Sequence, residues 1–253
     1  MNSNEKKVTY KTLKATFPEE KKSVESIYGR IIPVRKISYW FTIPLLRMNV
    51  SAFTASVISM LIAIVACILI ALPNPIARVV GIILVPVWHI FDCVDGNIAR
   101  YTKTASDFGS AVDAICGYFV DAYIPLSLGI AAYNVGIDFL GIPLHLYIIL
   151  GGVAAISFTL MRLIHQKYAF EALSVEVKTG KHFEKGDNQY TLTGFHKLRK
   201  VLQVNCSVVG IPMFVLWLCP IFNLYCLLVI YYCIFYLASL VIGVPFYLKK
   251  CKE

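Results

Sequence analysis

Residues 92–117 read DCVDGNIARYTKTASDFGSAVDAICG, and this stretch governs the reading of the rest of the chain. An apolar run that begins after Arg78 ends on Asp92 and Asp95, three residues apart and so on one face of a helix. A third acid, Asp113, opens the next apolar run. Ionised side chains within a membrane span are costly, face the protein interior and mark function. Asp92 and Asp95 also fall near a helix C-terminus, where the helix dipole opposes negative charge. Acids in that position need a strong cationic partner. Arg100 can pair with one of them, whereas a bound divalent cation accounts for all three and for their spacing. Gly96 and Ala99 leave the backbone bare within one turn, and Gly109, four residues before Asp113, does the same on the next helix. Ser106 or Asp107 is the expected N-cap of that helix.

Working outward, the composition is that of a membrane protein. The chain has 253 residues, of which 15% are charged, and its mean hydropathy is +0.68. No charged residue lies between Arg47 and Arg78, between Arg78 and Asp92, between Asp138 and Arg162, or between Lys200 and Lys249. The last gap holds two spans of about 20 residues each. The expected fold is an all-α integral membrane protein with six transmembrane helices, at 50–73, 79–101, 107–133, 141–164, 200–220 and 223–248. An interfacial amphipathic segment within residues 24–48 precedes them, where Tyr39, Trp40 and Phe41 mingle with Arg35, Lys36 and Arg47. A cap packed on the bundle is the alternative for that segment. The domain plan is a cytoplasmic N-terminal segment at 1–49, a transmembrane catalytic domain at 50–248 and a basic cytoplasmic tail at 249–253. The first 30 residues are polar and rich in Lys and Glu, and no cleavable signal peptide is expected.

The net charge of +9 follows the positive-inside rule and does not point to nucleic acid. With both termini cytoplasmic, Arg78 is the one Lys or Arg assigned to the outer face. The eight cysteines, without a Cys-x-x-Cys pair, read as small buried hydrophobes, with Cys251 in the tail as a weak acylation candidate. The stretch 165–199, with Gly180, Gly186 and Gly194, reads as a loop that can act as a lid.

At this point the residues resemble a family, the CDP-alcohol phosphotransferases (CDP-alcohol phosphatidyltransferases). Their signature is Asp-x2-Asp-Gly-x2-Ala-Arg-x8-Gly-x3-Asp-x3-Asp, and this chain supplies Asp92, Asp95, Gly96, Ala99, Arg100, Gly109 and Asp113 at those spacings. The resemblance extends more loosely to residues 35–59 and to the region of Arg162. It departs at Ala52 and Phe53, where relatives often have Pro-Asn, and at Gly117, which stands where the family has its last aspartate.

The resemblance implies a phospholipid-biosynthesis transferase that moves a phosphoalcohol group from a CDP-linked donor to a small alcohol or lipid acceptor and releases CMP. It implies Asp92, Asp95 and Asp113 as ligands of Mg2+ or Mn2+, with two metal sites of which one is weakened by Gly117. It further implies that Asp92, Gly96, Ala99, Arg100 and Gly109 contact the CDP moiety, that Arg162 binds the acceptor, and that the chain forms a homodimer. Arg162 at the membrane surface reads alternatively as a snorkelling side chain. Arg35, in the basic interfacial run, is the second acceptor-binding candidate, and the distribution of Lys and Arg puts the active site on the cytoplasmic side. Gly117 can be neither ligand nor base. Asp121, one turn further on, is the candidate substitute base, and its alternative reading is a buried acid hydrogen-bonded to a neighbouring span. His89, one turn before Asp92, reads either as a partner of the site or as an interior histidine. Two other functions compete: a catalytically silent relative that binds CDP-lipid, favoured by Gly117, and a transporter, disfavoured because the acids cluster at one membrane face.

Overall fold

The computed structural model describes residues 8–18, 26–180 and 201–251, and these are helical, with no strand among them. A short helix α1 (Tyr10–Ala15) is capped by a reciprocal Thr9–Thr12 box. Helix α2 (Ile27–Ile31) starts at Ser26, whose hydroxyl accepts from the Gly29 N–H. Pro33 separates it from α3 (Val34–Arg47), the amphipathic segment expected from the sequence. Ser38, Tyr39 and Thr42 line its buried side, while Trp40 is 67% exposed. Tyr28 on α2 is fully buried against His89, Phe214 and Trp217, and burial pushes its hydroxyl up to about 12.

Five described helices are long and apolar enough to cross a bilayer: α4 (Ala52–Ala71), α5 (Pro75–Thr102), α6 (Asp107–Val135), α7 (Leu144–Thr179) and α9 (Tyr225–Lys250). Their limits follow local chemistry. Ser51 caps α4, and Asn74 caps α5 with Pro75 just inside it. Lys103 ends α5 in the left-handed region at φ 57°, and Gly136 does the same for α6 at φ 73°. The fifth expected span, 200–220, is broken over its described residues, 201–220. Residues 201–206 are helical, the chain turns at 207–211, and a shorter apolar helix α8 (Pro212–Phe222) follows. Pro212 has no N–H to extend a helix backward. A β-carbon at Gly210 would lie 2.1 Å from the Asn205 carbonyl oxygen, so only glycine fits the turn.

The loop expected from residue 165 is corrected over its first part. Helix α7 runs on to Thr179, 36 residues in all. That is about 54 Å of helix, far more than the roughly 30 Å of bilayer hydrocarbon, so α7 projects beyond the membrane. Its continuation through HQKYAFEALSVEVK contains no proline or glycine to stop it until Gly180, which ends it at φ 66°. The rest of the expected lid, including Gly186 and Gly194, lies outside the described residues.

Helix α4 packs on both α5 and α6, and α7 packs on α6 and α9. Glycines set these contacts. A β-carbon on Gly81 would approach the Ala66 carbonyl to 2.7 Å, and one on Gly129 the Tyr147 carbonyl to 2.4 Å; one on Gly151 would come 2.5 Å from the Pro125 carbonyl. Lipid supplies no hydrophobic drive between helices, so such close backbone contact is what holds them. All eight cysteines are free, and five of them are buried. At one end of α5, Arg78 is 6% exposed and donates to the Leu72 and Pro73 carbonyls, which closes the C-terminus of α4 with a positive charge. The acids lie about 25 Å along the axis of α5 from it.

Candidate functional site

Helix α5 carries Asp92, Asp95, Gly96, Asn97, Ala99 and Arg100 on its last three turns. The side chains divide by face. Asp95 is 4% exposed and accepts the Ser56 hydroxyl of α4 and its neighbour Gly96 N–H. Asp92 is half-buried. Asp113 is exposed on the second turn of α6, whose N-cap is Ser106, accepting the Gly109 N–H at 3.0 Å. Asp107 sits in the first turn, not at the cap. Asp92, Asp95 and Asp113 lie within electrostatic reach of one another, and Asp121 is within reach of Asp92. The fold therefore brings together the three acids that the sequence grouped.

Asn97 organises the cationic side. It is 1% exposed, and its Nδ2 donates to Ser38 Oγ at 2.9 Å and Thr42 Oγ1 at 3.2 Å, both on α3. Those hydroxyls already donate to the carbonyls of Arg35 and Ser38, so toward Asn97 they act as acceptors. This fixes the amide orientation and turns Oδ1 toward Arg100, whose Nη2 donates to it at 2.8 Å. Arg100 folds back over Gly96, where a β-carbon would stand 3.0 Å from Nη1. Arg35 on α3 lies beside Arg100, within electrostatic reach of it and of Asp92. Both guanidiniums face the ring of Phe17, Arg35 at 3.9 Å from its centroid and Arg100 at 5.5 Å.

The remaining candidates form a second group. Asp121 accepts the Tyr236 hydroxyl of α9 at 3.3 Å and feels the charge of Arg162 on α7. Arg162 stacks over Tyr118 and Phe158, at 5.2 Å from each ring. The contact from Tyr236 is the one that the alternative reading of Asp121 called for. Arg35 and Arg162, paired in the sequence reading, thus belong to different clusters that adjoin through Asp92 and Asp121. His89 packs between Tyr28 and Trp88 and, with Ser26, Arg35 and Cys93, lines a cavity of about 130 Å3. At Gly117 a β-carbon would meet nothing within 4 Å.

An all-oxygen carboxylate set of this kind matches a hard divalent cation such as Mg2+. Among the described residues, no three His, Cys, Asp or Glu side chains converge closely enough to form a ready cage. Asp95 in particular is turned to Ser56 and its own backbone. The set fits such an ion in donor chemistry, and the carboxylates would have to turn together to hold one. The sequence reading missed Ser56, Ser38, Thr42, Asn97 and Phe17. Asn97 had a usable signal: it is a polar side chain within the motif itself, in an otherwise apolar run. Phe17 had none.

A bundle of membrane-length helices with a carboxylate cluster and adjoining arginines at the end of one helix pair defines a multi-pass membrane protein built to handle a charged ligand. Residues 50–244 match the family model described as CDP-alcohol phosphatidyltransferase, and the chain belongs to that family. Membership implies transfer of a phosphoalcohol group from a CDP-alcohol. No curated protein matches the chain.

Proposed function

We propose that this chain transfers a phosphoalcohol group, of the phosphatidyl type, from a CDP-linked donor to an alcohol or phosphorylated acceptor. The acceptor oxygen forms a bond to the donor phosphorus next to the alcohol, the bond from that phosphorus to the CMP oxygen breaks, and CMP leaves. The supporting observation is the juxtaposition of Asp92, Asp95 and Asp113 with the Arg35–Arg100 pair, acid and base side by side at one end of the bundle. Asp92, Asp95 and Asp113 are the residues that would hold Mg2+ or Mn2+. Such ions, when bound, neutralise the diphosphate charge and polarise the scissile bond. Arg100, held by Asn97, binds and orients the diphosphate, with Gly96 leaving room for its guanidinium. The excess of basic residues assigned to one side supports a cytoplasmic position for this end and for both termini.

Gly117 supplies no carboxylate, so the protein gives the acceptor no base at that position. A hydroxyl acceptor, with or without a phosphate elsewhere in it, must then lose its proton to water or to another side chain; only attack through an anionic phosphate oxygen, which would form a diphosphate, needs no base. A catalytically silent CDP-lipid binder is the second reading, and Gly117 is the observation that favours it. CMP release by the purified full chain in detergent, with CDP-linked lipid donors and neutral or phosphorylated alcohols, tests the proposal. Metal-dependent release that stops with chelator and in Asp95→Asn supports it. Donor binding without CMP release from any pair establishes the silent binder, and release indifferent to both chelator and Asp95→Asn rules out the metal role.

A further inference from the structure

We propose that Phe17 is a positioning residue for the arginines that receive the donor diphosphate, acting from a segment outside the stretch that matches the family. The inference rests on the function proposed above and adds a residue to its binding machinery. The segment is docked, not draped. Leu13 is fully buried, Tyr10 meets Tyr39 edge-on at 5.4 Å and Trp40 at 6.1 Å, and Phe17 is only 7% exposed. This anchorage puts one aromatic ring against both Arg35 and Arg100.

Two guanidiniums at one site repel each other, and Arg35 acts on Arg100 in that sense. The negative face of an aromatic ring offsets part of that repulsion. Stacking engages the flat face of a guanidinium and leaves its rim for planar hydrogen bonding, the geometry that suits phosphate oxygens. On Arg100, Nη2 is committed to Asn97, while the buried Nε has no hydrogen-bond partner among the described residues. Such a buried donor beside a second cation is one that an anion can satisfy. Phe17 orients the cations, and a diphosphate completes them.

The test uses the full chain in detergent with Mg2+, titrated calorimetrically with CDP and, separately, with inorganic pyrophosphate. Wild type, Phe17→Tyr, Phe17→Leu and Phe17→Met are compared, each with its unliganded thermal midpoint. Expected is a loss of ~3–10-fold in affinity for both ligands in the leucine and methionine variants, the size of a partly desolvated cation–π contact, with Phe17→Tyr within about twofold of wild type. Equal affinity in all four proteins overturns the proposal. So does an equal loss in Phe17→Tyr and Phe17→Leu, which would make the ring mere packing. Wild type that binds pyrophosphate but not CDP, with the same dependence on Phe17, leaves the positioning role standing and sinks the donor reading instead. Wild type that binds neither overturns both.

Discussion

Arg100 folds back over Gly96, so that a β-carbon at position 96 would lie 3.0 Å from Nη1 and 3.2 Å from Nη2. The glycine of the Asp-Gly-x2-Ala-Arg element is therefore a space for the arginine of the same element, one helical turn later. The obstructed atoms are the far end of a flexible side chain. Gly96→Ala should leave the fold intact and even favour the helix, since alanine is the better helix former by about 1 kcal/mol. The guanidinium must move, however, and lose its geometry with Asn97. Expected is an unchanged or raised thermal midpoint together with at least a severalfold loss of CDP affinity, read by calorimetry. Retained affinity would show that Arg100 does not need the space.

Asn97 joins α3 to α5 and holds Arg100, so its replacement should cost both stability and binding. Asn97→Leu removes the donor to Ser38 and Thr42 and the acceptor for Arg100. A loss of about 1–3 kcal/mol is expected, the range for a buried polar group left without its partner. Thermal unfolding in detergent, alongside a CDP titration, reads both. A variant that loses stability but keeps wild-type CDP affinity would separate the anchor from the arginine.

Gly117 has room for a side chain, and that makes a gain of function testable. Because a β-carbon there meets nothing within 4 Å, Gly117→Asp should fold as well as wild type. General-base help is worth about 10²–10⁴ in rate. CMP release to an acceptor that attacks through a hydroxyl should therefore rise at least about tenfold. Asp113→Asn should abolish release in either background. If Gly117→Asp changes nothing while Asp121→Asn stops turnover, the base is Asp121, one turn deeper.

A pH effect is expected at the opposite end of the bundle. Asp138, in the loop between α6 and α7, accepts the Tyr147 hydroxyl, which holds its carboxyl below the usual carboxylate range. A lowered pKa in the folded state means that the contact stabilises above the unfolded value of about 3.9 and is lost as pH falls through the folded one. Wild type should thus be more stable than Tyr147→Phe at pH 7, and the difference in thermal midpoint should shrink toward zero below about pH 4. A difference that stays constant down to pH 2 would mean that the charge on Asp138 contributes nothing.

The membrane class, the limits of most spans and the acidic motif followed from the sequence, because each rests on local patterns. Charge-free runs set the spans, Ser51, Asn74 and Ser106 cap their helices, and a three-residue spacing puts Asp92 and Asp95 on one face. The amphipathic helix before the first span was legible for the same reason. Two features escaped a hydropathy reading. The fifth span breaks at Gly210–Pro212, where a backbone contact with Asn205 decides the turn, and α7 runs past the membrane because helical pattern continues after apolar pattern stops.

Only the tertiary structure decided the company that each site residue keeps. Nothing in the spacing pairs Asp95 with Ser56, turns Asn97 from a motif filler into the hinge between α3 and Arg100, or separates Arg162 with Asp121 and Tyr236 from Arg35. Phe17 reaches the arginines from more than 80 residues before Arg100 in the sequence. Sequence fixes what each turn of helix can offer, since periodicity and capping are properties of neighbours along the chain. Which offers meet depends on how helices cross, and close contacts at Gly81, Gly129 and Gly151 set those crossings through backbone shape that no local pattern encodes.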